Sequence, residues 1–304
     1  MKKLLFIVNP RSGQEKIRQR ILAITEIFSA GGYLVTLYPT GGRQDATKIV
    51  QKRAKSFDMI VCAGGDGTLD EVVTGLMLSG HRTPVGYIPC GSTNDYARSL
   101  KIPVDPLKAA ELILTGVPTE LDVGKFGDSY FIYVAAFGAF TEVSYSTSQF
   151  KKNVMGHLAY VLDGAMSLGN IIGYPMKISY DTGELDGRFI YGMMSNSISV
   201  GGFKSPGSEN VVLNDGIFEM LIVREPANPA EFSQMIAALL SNNLKTDYVQ
   251  FIQTRKAVFE TPIAIPWALD GEFGGSHVEV TAENMNRAVT IITNLENREG
   301  LSNA

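Results

Sequence analysis

The sequence predicts an α/β protein in two parts: an amino-terminal parallel sheet with helices on both faces over residues 1–123, and a mainly antiparallel, sandwich-like β domain over 124–295. Residues 296–304 form a polar tail that can return to the first domain. Three observations carry this expectation. Short apolar runs alternate with segments of helical periodicity as far as about residue 120. Beyond Leu121 strand-like segments dominate, separated by turn dipeptides. Turns carrying glycine and polar residues follow three of the early strands. At 304 residues the chain is long enough for two cores, and 45% apolar against 19% charged residues is ordinary globular composition.

The elements follow in order. Leu4 to Val8 is a continuous apolar run, as in a strand buried on both faces. Ile17, Ile21, Ile24 and Phe28 recur at helical spacing, and Gly31-Gly32 ends that helix. Leu34 to Tyr38 is a second strand. Asp45 caps a helix carrying Ile49, Val50, Ala54 and Phe57. Met59 to Ala63 is a third strand, followed by a glycine-rich turn and a helix through Val72, Val73, Leu76 and Met77. Val85 to Ile88 is a fourth strand, and Pro106 opens a helix through Ala110, Leu112 and Ile113. The repetition of strand and helix makes the first domain Rossmann-like. In the second, strands are expected at 130–136, 176–180, 189–200, 217–223, 257–260, 278–281 and 288–293, with helices at 158–168 and 229–240.

A net charge of −4 argues against non-specific nucleic-acid binding, which needs a basic footprint. Any membrane contact must therefore use a local basic or apolar patch; Lys151-Lys152, ahead of Val154, Leu158 and Val161, is one candidate, and a solvated charge pair on a core helix is the plainer reading. The two cysteines, Cys62 and Cys90, lie in apolar stretches and read as buried packing. The apolar run at the start meets Asn9-Pro10-Arg11 too soon for a signal peptide, and a cytoplasmic protein is expected. His81, His157 and His277 have no metal-ligand spacing. Trp267 either packs in a strand or walls a nearby site.

Three turns carry the chemistry: Asn9-Pro10-Arg11-Ser12-Gly13, Gly64-Gly65-Asp66-Gly67-Thr68 and Gly91-Ser92-Thr93-Asn94-Asp95, after the first, third and fourth strands. In open α/β sheets ligands bind beyond the carboxyl ends of strands, so these turns would share one rim. In the central turn three glycines permit close backbone approach, and free N–H groups ahead of a helix form an anion cradle. Asp66 would repel a bare phosphate; a divalent cation between them reverses the sign, so the turn suggests a Mg²⁺-nucleotide. Ser12, Thr68, Ser92 and Thr93 add hydroxyl donors, and Arg11 is the one cation in these turns.

In this order and spacing the three turns resemble the diacylglycerol kinase catalytic domain family, which includes bacterial lipid kinases and sphingosine kinases. The central turn is shared with NAD kinases, and the third separates the lipid branch. The resemblance implies ATP and Mg²⁺ as cofactors, a membrane-derived lipid as acceptor, peripheral contact with the inner membrane face, no nucleic-acid partner, and compatibility with a homodimer. It implies nucleotide contacts from Asn9, Pro10, Arg11, Ser12, Gly13, Thr40, Gly64, Gly65, Asp66, Gly67, Thr68, Ser92, Thr93 and Asn94. Phosphoryl transfer to an alcohol calls for a carboxylate beside the attacking hydroxyl. By resemblance the Leu269-Asp270-Gly271-Glu272 loop supplies it, from either Asp270 or Glu272. It also implies a structural Mg²⁺ held by Asp215 and the carbonyls of Val212 and Ile217, with Asp122 joining through water. Asn214 stands where family members often carry a further acid. The competing readings are an NAD kinase-like enzyme using the same central turn and a non-catalytic lipid-binding protein on this scaffold.

Overall fold

A computed structural model describes residues 1–12, 16–92, 94–138, 172–197, 199–200, 203–204, 212–241 and 246–295. The chain forms two compact units: Met1–Val123 together with the segment from Asn286, and Gly124–Met285.

The first unit is built on parallel strands β1 (Lys2–Val8), β2 (Tyr33–Pro39), β3 (Met59–Gly64) and β4 (Val85–Pro89), in the order β2-β1-β3-β4. Strand β1 lies between two partners, which is why Leu4 to Val8 are all apolar and all buried. Each such side chain contributes roughly 1.5–3 kcal/mol on burial. Strand β2 sits at the end of the order and is only partly covered, with Leu34 and Leu37 exposed. Between the strands run α1 (Lys16–Ala30), α2 (Asp45–Arg53), extended by a 3₁₀ turn at Ala54–Ser56, and α3 (Asp66–Ser79). After β4 come the short α4 (Asp95–Ser99) and α5 (Pro106–Thr115). The helices pack as two pairs, α1 with α5 and α2 with α3. Glu71 of α3 secures the second pair by accepting hydrogen bonds from the Gln44 and Ala46 amides at the start of α2.

Two strands expected to be separate, 278–281 and 288–293, are one strand, β15 (Glu272–Thr293), which passes from the second unit into the first. Residues 286–295 therefore belong to the first unit and not to the second, because Ile291 pairs in parallel with Val85 and Thr293 Oγ1 lies 2.7 Å from Thr119 Oγ1. Asp122, wholly buried in β5 (Val117–Phe126), fixes this return: its Oδ1 accepts from Asn286 Nδ2 at 2.9 Å and from the Arg287 amide at 2.6 Å.

The second unit is strand-rich. It contains β6 (Ser129–Phe131), β7 (Val134–Gly138), β8 (Tyr174–Tyr180), β9 (Gly183–Ser195), a two-residue pair β10 (Ser199–Val200) and β11 (Phe203–Lys204), β12 (Phe218–Arg224), β13 (Val249–Thr254), β14 (Lys256–Leu269) and the first part of β15. Asn228 and Pro229 open its helix α6 (Pro229–Leu240), with the Asn228 side chain accepting from the Ala230 and Glu231 amides. The two layers expected of a sandwich are joined, because long strands change partners. The start of β9 pairs with β8 and its end with β7, while β14 pairs with β8 at its start and β7 at its end. These four antiparallel strands close a ring of pairings around Phe137, Met176, Ile178, Phe189, Phe259 and Trp267. The expected helix at 158–168 and the Lys151-Lys152 pair lie outside the described residues.

Trp267 is 1% exposed, with the rings of Phe126, Phe137 and Phe259 centred 4.7 to 4.9 Å away. It is a packing residue. Trp267→Ala is expected to destabilise the second unit by about 3–5 kcal/mol, read as a lowered urea midpoint in circular dichroism.

Candidate active site

The three glycine-rich turns lie at the carboxyl ends of β1, β3 and β4, which are adjacent strands of one parallel sheet. Each is tied to the next. The Asn9 amide donates to the Ala63 carbonyl at 2.8 Å, and Asn9 Nδ2 donates to Thr68 Oγ1 at 3.1 Å, joining the first turn to the second. The Cys90 amide donates to the Gly64 carbonyl at 2.7 Å, joining the second to the third. There the backbones touch: a Cβ on Gly91 would stand 2.8 Å from the Gly65 Cα, and one on Gly65 would stand 3.3 Å from the Gly91 Cα. Glycine is thus required at Gly91 by contact with backbone, and Gly65 sits in a tight but less absolute contact. A Cβ on Gly64 would meet Thr68 at 2.5 Å, so this turn is closed against its own helix as well.

Asp66 begins α3 and acts across the rim. Its Oδ2 accepts from the Asp95 amide at 2.9 Å, and its Oδ1 accepts from the Tyr87 hydroxyl at 3.3 Å. Burial pushes the Asp66 carboxyl above the usual carboxylate range, and the Asp95 amide opposes that rise. Burial likewise pushes the Tyr87 hydroxyl well up, so the phenol keeps its proton to donate. In the third turn Asn94 has φ +52, with Oδ1 accepting from the Gly91 amide at 2.8 Å and Nδ2 donating to the Gly91 carbonyl at 2.9 Å. The Asn94 side chain therefore shapes its own turn. In the first turn Asn9 Oδ1 accepts from the Arg11 amide at 3.0 Å, leaving the Arg11 side chain exposed. Thr40, after β2, donates its amide to the Val8 carbonyl and so borders the first turn. Ser12 is half-buried and Ser92 exposed; Gly13 and Thr93 lie outside the described residues.

Sequence reasoning missed Tyr87 and Arg98 in this region, and gave Asp95 no role beyond its place in the third turn. Tyr87 is hidden because it reads as an ordinary strand residue. Arg98 lines a cavity with Asn94, Lys101 and Ile102, and its guanidinium is 3.9 Å from Asp95. Five-residue α4, which carries Asp95 and Arg98, is too short to show helical periodicity.

In the second unit, Asp270-Gly271 is a two-residue hairpin turn between β14 and β15, with φ +49 and +82 and Leu269 paired to Glu272. Positive φ at both central residues is the type I′ turn that suits strand twist, and Asp-Gly is a favoured sequence for it. The side chains of Asp270 and Glu272 differ sharply. Asp270 is 7% exposed; its Oδ2 accepts from the Ile132 amide at 2.6 Å, and its Oδ1 from the Tyr133 and Val134 amides at 3.0 and 2.9 Å. Those amides form the break between β6 and β7, so the carboxylate bridges hairpin and break. Glu272 is exposed at the head of β15.

Asp215 lies in an exposed turn ahead of β12, its Oδ1 accepting from the Ile217 amide at 2.9 Å, with Gly216 at φ +80. Val212 and Ile217 flank it and are half-buried. His277 packs edge-on against Phe126 and faces the Gly274 carbonyl.

Comparison with known proteins gives the family. Residues 3–126 match the model for the diacylglycerol kinase catalytic domain. The chain is 34% identical to a diacylglycerol kinase of Bacillus subtilis over 90% of its own length and 91% of that protein's. It is also 34% identical to a diacylglycerol kinase of Staphylococcus carnosus, covering 90% of each. The chain belongs to the diacylglycerol kinase family. It is a lipid kinase of that kind, phosphorylating an alcohol acceptor. A crystal structure of a putative diacylglycerol kinase from Bacillus anthracis superposes with a TM-score of 0.78 at 25% identity, covering 96% of this chain and 97% of that one. The mixed α/β fold is the one seen in that family member.

Two outcomes follow from these contacts. Gly91→Ala is expected to lower stability by about 1–3 kcal/mol, because the new Cβ meets backbone that cannot rotate away, whereas Gly42→Ala, with open space around it, changes stability little. Asp270→Asn places an amide N–H₂ against a backbone donor and is expected to cost about 1–3 kcal/mol. Denaturant midpoints of the three variants check both.

Proposed function

We propose that this chain transfers the γ-phosphoryl group of ATP to the free hydroxyl of diacylglycerol, or of a closely related membrane lipid, giving phosphatidic acid or its analogue. The observation that carries the reading is the junction of three glycine-rich turns on one sheet rim, where two backbones touch and an acidic residue opens the central helix. Relatives named diacylglycerol kinases support the acceptor class.

In this reading the turns at Gly64–Thr68 and Gly91–Asn94 hold the polyphosphate through backbone N–H groups, with Asn9, Ser12 and Arg11 along the same rim. Mg²⁺, when bound, neutralises charge between the phosphates and Asp66. Asp66 suits that role: it is only half-buried, and the bonds it accepts from the Tyr87 hydroxyl and the Asp95 and Tyr96 amides leave part of its roughly four lone-pair sites open. Those same bonds hold its orientation fixed before a ligand arrives.

The proton acceptor is assigned to Glu272. Asp270 is 7% exposed with both oxygens on three backbone amides, whereas Glu272 is exposed beside the same turn, where a substrate hydroxyl can reach it. Asp270 is then a positioning residue that fixes the turn from which Glu272 projects. As the lipid hydroxyl loses its proton to Glu272, its oxygen bonds to the γ-phosphorus, the bond from that phosphorus to the bridging oxygen breaks, and ADP leaves. The acceptor lies in a bilayer, so the reaction takes place at a membrane surface. No helix among the described residues is long and apolar enough to cross a membrane.

The test is incubation of the protein with labelled ATP and a total lipid extract, with products separated by thin-layer chromatography. Label is expected in phosphatidic acid, and Glu272→Gln and Asp66→Asn are each expected to lower turnover by about 10²–10⁴-fold while circular dichroism stays unchanged. Label appearing on NAD instead of lipid, or full turnover by either variant, contradicts the reading.

A further inference from the structure

The 212–217 turn of the second unit has an underside that the family resemblance does not account for. Strand β12 leaves this turn at Phe218. Phe218, Met220 and Ile222 point into the aromatic core, so Glu219 between them faces the other side of the sheet. On that side its register partners are Ser195 on β9 and Gln253 on β13. Glu219 is only 3% exposed, and its Oε2 is fully buried with no hydrogen-bond partner. Asn196, one residue beyond Ser195, is 2% exposed and presents the same anomaly: its Oδ1 is buried without a partner. Its Nδ2 donates to the Leu213 carbonyl at 3.4 Å, so the amide is aimed at the turn. Glu219 is near the turn too, close enough for the Asp215 charge to act on its carboxyl.

Two orphaned oxygens beneath one turn need a common explanation, since each buried acceptor left unmade costs about 1–3 kcal/mol. Both are hard oxygen donors, and nitrogen and sulfur ligands are absent from this set. A hard divalent cation takes oxygens from carboxylates, amide carbonyls and backbone carbonyls, and it turns repulsion between two carboxylates into attraction. The family resemblance places Mg²⁺ at this turn through Asp215 and the carbonyls of Val212 and Ile217, with Asp122 joining through water and with Asn214 where a further acid is common. The residues present fit a cation better than that set alone suggests.

We infer that Glu219 and Asn196 are ligands on the inner side of a divalent-cation site at the 212–217 turn, with Glu219 replacing the acid that Asn214 lacks. The assignment rests on the lipid-kinase reading only through the resemblance that draws attention to Asp215. The Glu219 carboxylate supplies the second negative charge, and the Asn196 amide oxygen a neutral ligand held in place by Leu213. The cation ties the end of β9 to the start of β12 and so stiffens the strands on either side.

The test uses the full chain stripped with EDTA, without nucleotide or lipid. Mg²⁺ and Ca²⁺ are titrated in turn, by calorimetry and by the shift in melting temperature. Wild type is expected to bind and to melt higher with the cation. Glu219→Gln, which keeps the side chain's size, and Asp215→Asn are each expected to weaken binding by more than about tenfold and to lose the melting shift. Asn196→Ala is expected to weaken binding by a smaller factor. Melting in EDTA reports whether each variant is folded. Wild-type-like cation affinity in Glu219→Gln, or no binding by wild type, overturns the inference. Lipid phosphorylation measured on the same samples keeps the two proposals apart: wild-type turnover without cation binding defeats this one alone, and binding without any turnover defeats the kinase reading alone.

Discussion

Contact between two glycine backbones sets the geometry of the amino-terminal unit. Gly65 and Gly91 approach so closely that a Cβ on Gly91 would meet backbone at 2.8 Å, and the bond from the Cys90 amide to the Gly64 carbonyl continues the β-ladder up to that contact. Two turns that would otherwise be independent are held against each other. Asp66 then reaches from the first residue of α3 to the amide that begins α4, and Tyr87 holds its other oxygen. The rim is held together by the chain's own contacts.

The second unit solves a similar problem with a carboxylate. Asp270 gathers three amides at the break between β6 and β7, where the backbone leaves its ladder and would otherwise lack acceptors. The Asp-Gly turn that contains it presents Glu272 at the head of β15. Two acidic residues, two positions apart, thus separate into a buried structural anchor and an exposed side chain. Burial separates them: one is among amides and the other faces water.

Much of this was legible in the sequence where a single constraint acted. Leu4 to Val8 are apolar without interruption because β1 is covered on both faces, and the three turns announce themselves by glycine and acidic residues after such strands. Strand β5 escaped notice because Glu120 and Lys125 interrupt its apolar residues. Strand β13, with the sequence Val-Gln-Phe-Ile-Gln-Thr, gives only a weak alternation. Strand β15 appeared as two because Glu283, Asn284 and Asn286 look like a loop, whereas the chain there crosses between units and Asp122 holds the crossing. The sequence left Asp270 and Glu272 equivalent, since only tertiary contacts distinguish them. Glu219 gave no signal: a glutamate inside a strand reads as solvated, and its burial is a property of the neighbours on β9 and β13.

The central claim is that one sheet rim grips a metal-bound polyphosphate through backbone amides. A crystal structure of the protein with Mg²⁺ and a non-hydrolysable ATP analogue tests it most directly. The account predicts phosphate oxygens about 3 Å from amides of the Gly64–Thr68 and Gly91–Ser92 turns, with the metal beside Asp66. Phosphates bound elsewhere, with those amides facing solvent, would contradict it.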